Sequence, residues 1–453
     1  MVTLFFDRAL LPEGWRDAVR LTIAEGRIAG IETGTAPGPA DVRHAIAVPG
    51  MPNLHSHAFQ RAMAGLTETR GPTADSFWSW RELMYRFALT MSPDDVEAVA
   101  AELYVEMLEA GFTRVGEFHY LHHDRDGRPY ANIAEMAERI ASAASATGIG
   151  LTLLPVLYAR SGFGGGAPAE GQRRFINDVG RYARLLDGAR AAAARVPGAV
   201  TGIAPHSLRA VTPDELAATI PLAGDGPIHI HIAEQVREVE DCVAWSGARP
   251  VAWLLDHAPV DRRWCLIHAT HMDASEVAGM AATGAVAGLC PITESNLGDG
   301  IFAGADFVAA GGAWGIGSDS NVEIGVGAEL RQFEYSQRLA HRARNVIASA
   351  GASTGRTLFD QALAGGTAAL TPGAAAGLMV GTSADLVTLR ADDPRHPASV
   401  GDAPLDAWVF AAGNRLVDCV YVRGERVVAD GRHRDRDAVA ARFAATLGRL
   451  LAA

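Results

Sequence analysis

The sequence predicts an α/β fold, a (β/α)8 TIM barrel carrying a small β-sandwich domain built from the two chain ends. Three observations point to it. Eight short apolar runs, alternating with stretches of helical spacing, fill the middle of the chain. Both ends read instead as short strands and turns, β-rich and helix-poor. Several of the runs also end in polar side chains, which is where a barrel of this class places its chemistry.

Taken in order, the first 45 residues give VTLFFDRAL, DAVRLTIAEGRIAGIET and RHAIAVPG. The C-terminal stretches SADLVTLRADD, WVFAAG and RLVDCVYVRGERVVADG resemble them. Residues 1–48 and 377–453 are therefore expected to form the small domain and 49–376 the barrel. The eight runs are GMPNLHSH, GFTRVGEFHY, GIGLTLLPVLYA, VTGIAPHSL, PIHIHIAE, RWCLIHATH, GAVAGLCP and AWGIGSDS. Among the helices between them, SPDDVEAVAAELYVEMLEAG starts with Ser92 as N-cap, and NIAEMAERIASAASATG stops at Gly148. SGFGGGAPAEGQ, residues 161–172, reads as a mobile glycine-rich loop over the barrel mouth.

Composition narrows the function. The chain has 453 residues, 49% hydrophobic and 20% charged, ordinary for a globular protein. No apolar run approaches the roughly 20 residues of a membrane helix, and MVTLFFDRALLPEGW lacks the features of a signal peptide, so a cytoplasmic location without membrane contact is expected. Four dispersed cysteines with no CxxC pair argue against disulfides and a thiolate zinc site. A net charge of −12 argues against a nucleic-acid partner, although local arginines can still hold a small anion. All 40 basic residues are arginine. With no lysine, Schiff-base chemistry, a P-loop and a lysine carbamate bridging two metals are excluded.

The strand ends carry the chemistry. The first run ends in His55-Ser56-His57, and residues at i and i+2 share one face of a strand, so both rings can face one metal ion. The fifth run reads His229-Ile230-His231 and then Glu234. His231, nearer the mouth, is assigned as the third ligand, and His229 as a core histidine deeper in the barrel. The sixth run ends in His268 and the eighth in Asp319. Three imidazoles and a carboxylate suit one zinc, or Fe(II), and leave room for a water. Such a water becomes a nucleophile near neutral pH. Glu234 is placed to carry its proton, with His268 polarising the substrate or bonding the water.

This pattern resembles the amidohydrolase superfamily: HxH after strand 1, histidines on strands 5 and 6, aspartate on strand 8, and GLMVGTSADLVTL near the end. The resemblance covers essentially the whole chain and implies the barrel with its terminal β-domain. Because TGIAPHSL offers no lysine, it points to the mononuclear deaminase branch, in which the residue matching Glu234 shuttles protons, assisted by those matching His268 and Asp319. More specific stretches resemble N-formimino-L-glutamate deiminases: NLHSHAFQRAMAGLTE, SFWSWRELMY, VGEFHYLHHD, APHSLRAVT, HIHIAEQ and CPITESNLGDG. That resemblance implies substrate-binding roles for Gln60, Arg81, Tyr120, His206 and Arg209, a small dianionic amino-acid substrate, zinc at His55, His57, His231 and Asp319, and a homodimer. Arginine suits such a substrate, because its planar fork pairs a carboxylate bidentately. Arg81 is expected in the loop after strand 1, and Trp78 and Trp80 as wall packing. His119, His122 and His123 are expected as loop or supporting residues, His271 as a loop residue, and Ser320 and Asn321 as supports of Asp319. Three alternatives stay open: a deaminase of purines, pyrimidines or triazines, hydrolysis to glutamate and formamide, and a non-catalytic scaffold.

Overall fold

The structure, a computed structural model, describes residues 1–70, 77–394 and 401–452, with the side chain of Trp78 outside the description. Four strands open the chain: β1 (Val2–Leu11), β2 (Gly14–Ala24), β3 (Arg27–Glu32) and β4 (Val42–Pro49). The apolar run AIAVPGMPNL then divides at Gly50. Its first half completes β4, and its second half is β5 (Met51–Ser56), the first barrel strand.

The barrel continues with β6 (Phe112–His119), β7 (Gly150–Leu157), β8 (Val200–Thr201), β9 (Ala204–Pro205), β10 (Ile228–Ile232), β11 (Trp264–His268), β12 (Val286–Leu289) and β13 (Ala313–Ile316). All eight predicted runs are strands. The fourth is split into β8 and β9, both pairing with β7. Pairing is parallel from β5 to β7 and from β10 to β13. Parallel bridges Ile203–Ile228 and Ser207–His231 join the two halves on one side, and Ser56–Asp319 closes the ring on the other. β5, β7, β10 and β11 are buried along their whole length, which is why they read as continuous apolar runs. Inside, Leu54, Cys265, Ile267, Val286, Cys290, Ala369 and Leu370 form a packed cluster that fills the barrel below its mouth.

The helix Pro93–Glu109 begins after Ser92, whose hydroxyl accepts from the Asp95 N–H while Asp95 accepts from the Ser92 N–H. The helix Glu135–Thr147 ends where Gly148 turns left-handed at φ 83°.

Strands β14 (Leu386–Leu389), β15 (Val417–Val422), β16 (Glu425–Ala429) and β17 (Arg432–His433) join the N-terminal strands in a mixed sheet of eight strands, ordered β17-β16-β15-β14-β4-β1-β2-β3, so the two chain ends build one β-domain as expected. This sheet gathers its own core, with Leu4, Phe6, Leu21, Ile23, Leu386 and Tyr421 among its members. The end of the chain departs from expectation in not being helix-poor. Arg436–Ala452 is a 17-residue helix that packs on Pro93–Glu109, with Arg436 paired to Glu102 at 2.9 Å and Arg449 to Asp95 at 2.8 Å. No helix among the described residues is long and apolar enough to cross a membrane.

Candidate active site

Closure of the barrel assembles the site. The N–H of Asp319 donates to the His55 carbonyl, and the N–H of His57 donates to the Asp319 carbonyl, each at 3.0 Å. Gly317 permits this approach, because a Cβ there would lie 2.8 Å from the backbone of His55. Asn321 holds the same turn by donating to the His57 carbonyl at 3.1 Å and the Ser56 hydroxyl at 3.3 Å. Ser320 meets the Thr293 hydroxyl at 3.0 Å.

His55, His57, His231 and Asp319 converge, with one donor atom of each within 4.8 Å of all the others. His55 Nε2 and His231 Nε2 face each other at 3.0 Å, and His57 Nε2 stands 3.2 Å from Asp319 Oδ1. The tautomers follow from the partners. His57 Nδ1 donates to the Phe118 carbonyl at 2.9 Å, and His231 Nδ1 donates to the His206 carbonyl at 3.0 Å. A carbonyl only accepts, so both Nδ1 atoms carry hydrogen and both Nε2 atoms present lone pairs. Burial pushes the pKa of His55 down to about 3 and lowers those of His57 and His231, which keeps the rings neutral. Three neutral imidazoles, two of them with the lone pair fixed on Nε2, and a carboxylate crowded into one buried spot fit a divalent cation. His229 stands apart, bonded to the Ala369 carbonyl at 2.9 Å in the barrel interior.

Glu234 and His268 border this cluster. Glu234 Oε1 lies 3.8 Å from His268 Nε2, which is itself 3.8 Å from Asp319 Oδ2. On its other side His268 Nδ1 meets Glu294 Oε1 at 3.2 Å. Burial raises the Glu234 pKa against the pull of His268 and Arg209. Burial would lower that of His268, but Glu234, Glu294 and Asp319 around it raise it overall. The backbone here is left-handed at five non-glycine residues: Ala233 (φ 51°), His268 (68°), Ala269 (48°), Asp319 (44°) and Asn321 (59°). Strain of this kind concentrates where side-chain placement matters. Glu238, fully buried, accepts the Glu234 N–H at 3.1 Å and so fixes the turn after Ala233.

One cavity joins these groups to the predicted substrate residues. Gln60, Arg81, Tyr120, His206 and Arg209 line it together with His57, His231, Glu234, His268 and Asp319. Gln60 Nε2 donates to the Tyr120 hydroxyl at 2.7 Å, and its buried Oε1 has no protein partner. Arg209 lies between two carboxylates, 3.7 Å from Glu234 and 3.6 Å from Glu238, both beyond hydrogen-bond distance. Arg81 sits on a helix, Phe77–Thr90, rather than in the loop expected for it, because this part of the long connection after β5 is itself helical and lines the cavity. The fully buried Arg174 anchors this region by donating to the carbonyls of Met91 at 2.8 Å and His123 at 2.7 Å.

Several wall residues were not anticipated: Phe77, Met84, Tyr85, Tyr158, Phe175 and Leu297. Tyr158 directly follows a strand, so the strand-end rule could have found it. Tyr85 carries no such signal. Trp80 lines the cavity as expected, and Trp78 falls outside the described side chains. His122 and His123 bond to backbone carbonyls, His271 bonds to the Asp299 carbonyl, and His119 is buried beside them. Glu117 accepts from the Ala58 N–H at 2.7 Å and the Tyr104 hydroxyl at 3.2 Å, behind the HxH turn.

Comparison with known proteins places the whole chain. Residues 46–427 match the amidohydrolase family, and residues 1–45 match the N-terminal domain of formimidoylglutamate deiminase HutF. The chain is 54% identical to formimidoylglutamate deiminase of Pseudomonas aeruginosa, over all of both chains. An amidohydrolase crystal structure from Brucella melitensis superposes with a TM-score of 0.97 at 61% identity, covering all of both chains. The fold alone is shared with a zinc-bound adenosine deaminase from Xanthomonas campestris (TM-score 0.80, 21% identity, 100% of this chain and 99% of that one). The chain belongs to the amidohydrolase family.

Proposed function

We propose that this chain is a zinc-dependent deiminase of histidine degradation that converts N-formimino-L-glutamate and water to N-formyl-L-glutamate and ammonia. The observation that carries the reading is the entry of Arg81 and Arg209 into the same cavity as the three-histidine, one-aspartate cluster. The full-length likeness to formimidoylglutamate deiminase supports it.

Zinc bound by His55, His57, His231 and Asp319 would supply a water acidified toward a pKa of about 7. The remaining work belongs to side chains. Arg81 and Arg209 supply the cationic donors for the substrate's carboxylates. Gln60, Tyr120 and His206 orient the formimino end toward Glu234. Glu234 takes a proton from the attacking water and delivers it to the terminal nitrogen, so that the C–N bond breaks toward ammonia. His268, braced by Glu294, donates to the oxygen on which charge develops.

A second reading draws on the aromatic walls, since Phe77, Trp80 and Phe175 could stack on the flat ring of a purine, pyrimidine or triazine. Ammonia release from N-formimino-L-glutamate by zinc-loaded protein separates the two, with the amino-acid product identified in the same reaction. Ammonia with N-formyl-L-glutamate is expected. Glutamate with formamide would mean that the other C–N bond breaks, and no product from metal-replete protein would move the substrate to the ring compounds. For the ligand set, His231→Ala is expected to abolish stoichiometric zinc, and full retention would transfer the role to His229.

A further inference from the structure

We infer that Tyr85 and Tyr158, polarised by Gln172 behind them, form a hydrogen-bond-donating wall that binds a substrate carboxylate between Arg81 and Arg209. The inference rests on the proposed function and names residues that select the dicarboxylic substrate.

Tyr158 follows β7, Tyr85 stands on the helix Phe77–Thr90, and both line the cavity. Gln172 is buried behind them, at the end of the short turn Glu170–Gln172 that closes the glycine-rich loop. Its amide orientation is settled by the backbone. Oε1 accepts the Ala169 N–H at 2.8 Å, and a backbone N–H can only donate, so the amide nitrogen faces the tyrosines. Nε2 donates to the Tyr158 oxygen at 2.9 Å and to the Tyr85 oxygen at 3.3 Å.

Both phenol oxygens are therefore acceptors toward Gln172, and each keeps its own hydrogen to give. Even where one hydroxyl donates to the other, one hydrogen is left for a ligand. Burial raises the Tyr158 pKa well above the phenol range, in keeping with a retained hydrogen. Around this pair the Arg81 guanidinium lies over the Tyr85 ring at 5.7 Å, and the His206 ring packs on Tyr158 at 4.4 Å. Two guanidinium groups and a hydroxyl make a wall of donors. A carboxylate, which only accepts, matches it, whereas a heterocycle presenting both donors and acceptors does not. Gly171 makes the arrangement reachable, because a Cβ there would lie 2.9 Å from the Tyr85 ring and push the turn, with Gln172, away.

Gln172→Glu tests the polarity. The variant side chain keeps its shape and its bond from Ala169 but has no hydrogen to give, so it would take the phenol hydrogens and turn them from the ligand. Tyr158→Phe removes one hydroxyl. Steady-state kinetics with N-formimino-L-glutamate are measured for both, alongside calorimetric binding of glutarate, a dicarboxylate with no formimino group. The expected result is a KM raised about tenfold or more in each variant, as for loss of a bond to a charged group. kcat should stay within about threefold, glutarate should weaken in parallel, and the double variant should be no worse than Gln172→Glu alone. Unchanged KM and glutarate affinity, or a fall in kcat at constant KM, would overturn the inference. If the wild-type protein binds glutarate yet releases no ammonia, the proposed substrate fails and the glutarate series alone decides the wall. A wild-type protein that does not bind glutarate overturns it too.

Discussion

At the scale of single residues, the cavity divides its charges between chemistry and recognition. Glu234 Oε1 faces His268, and its Oε2 faces Arg209. Changing Glu234 to Gln keeps shape and neutralises charge, so bound zinc should persist while kcat falls by about 10² or more, checked by metal analysis beside turnover. Arg209 has no hydrogen bond to either flanking carboxylate, and its buried Nε makes none at all, so its donors are held for a ligand. Arg209→Ala should raise KM for N-formimino-L-glutamate by roughly 10–100-fold. An analogue lacking the distal carboxylate should lose far less if Arg209 holds that group, and equal losses would place Arg209 on the α-carboxylate. Residues at strand ends were legible in the sequence, because the two-residue period puts His55 and His57 on one face and sets His231 above His229. Tyr85, Gln172 and Glu238 were not, since their roles arise only where separate connections meet over the mouth.

At the scale of elements, the helix Pro93–Glu109 shows how a local signal becomes a measurable property. Burial works to raise the Asp95 pKa, but hydrogen bonds from Ser92 and Arg449 hold it below the usual carboxylate range. A depressed folded value means that the unfolded chain takes up this proton first as pH falls. The stabilisation is therefore complete above the unfolded pKa near 4 and is lost as pH drops through the folded value. Asp95→Asn should flatten the acid limb of a Tm-against-pH curve and lower Tm at neutral pH, and an unchanged acid limb would show that the pair carries no linkage. All eight barrel strands were legible, because burial along most of their length makes them short, largely apolar runs between helical stretches. The terminal helix was missed although its signal is present. Val439, Phe443, Leu447 and Leu450 recur at helical spacing and meet the core, but the hairpin-like segments before them drew the region toward a strand reading.

At the scale of the whole molecule, the site exists only when the ring is shut. The bond between Asp319 and His55 is at once the barrel's closing contact and the frame of the four-residue cluster. Gly317→Ala would press a methyl into the His55 backbone, so stability should fall by about 1–3 kcal/mol and zinc affinity should fall with it, read from denaturant melts with and without metal. Loss of stability with unchanged affinity would separate the two. The terminal sheet carries a different consequence, one of timing. β4 lies between β1 and β14, pairing with Leu386–Leu389, which follow the whole barrel in sequence. On the ribosome, the N-terminal strands emerge early and expose one bare edge of β4 until those residues arrive, an interval on the order of tens of seconds at typical synthesis rates. Throughout that interval the nascent chain offers a template for strand addition by its neighbours. The yield of soluble protein should therefore depend more on translation speed and chaperone supply than on the stability of the finished enzyme.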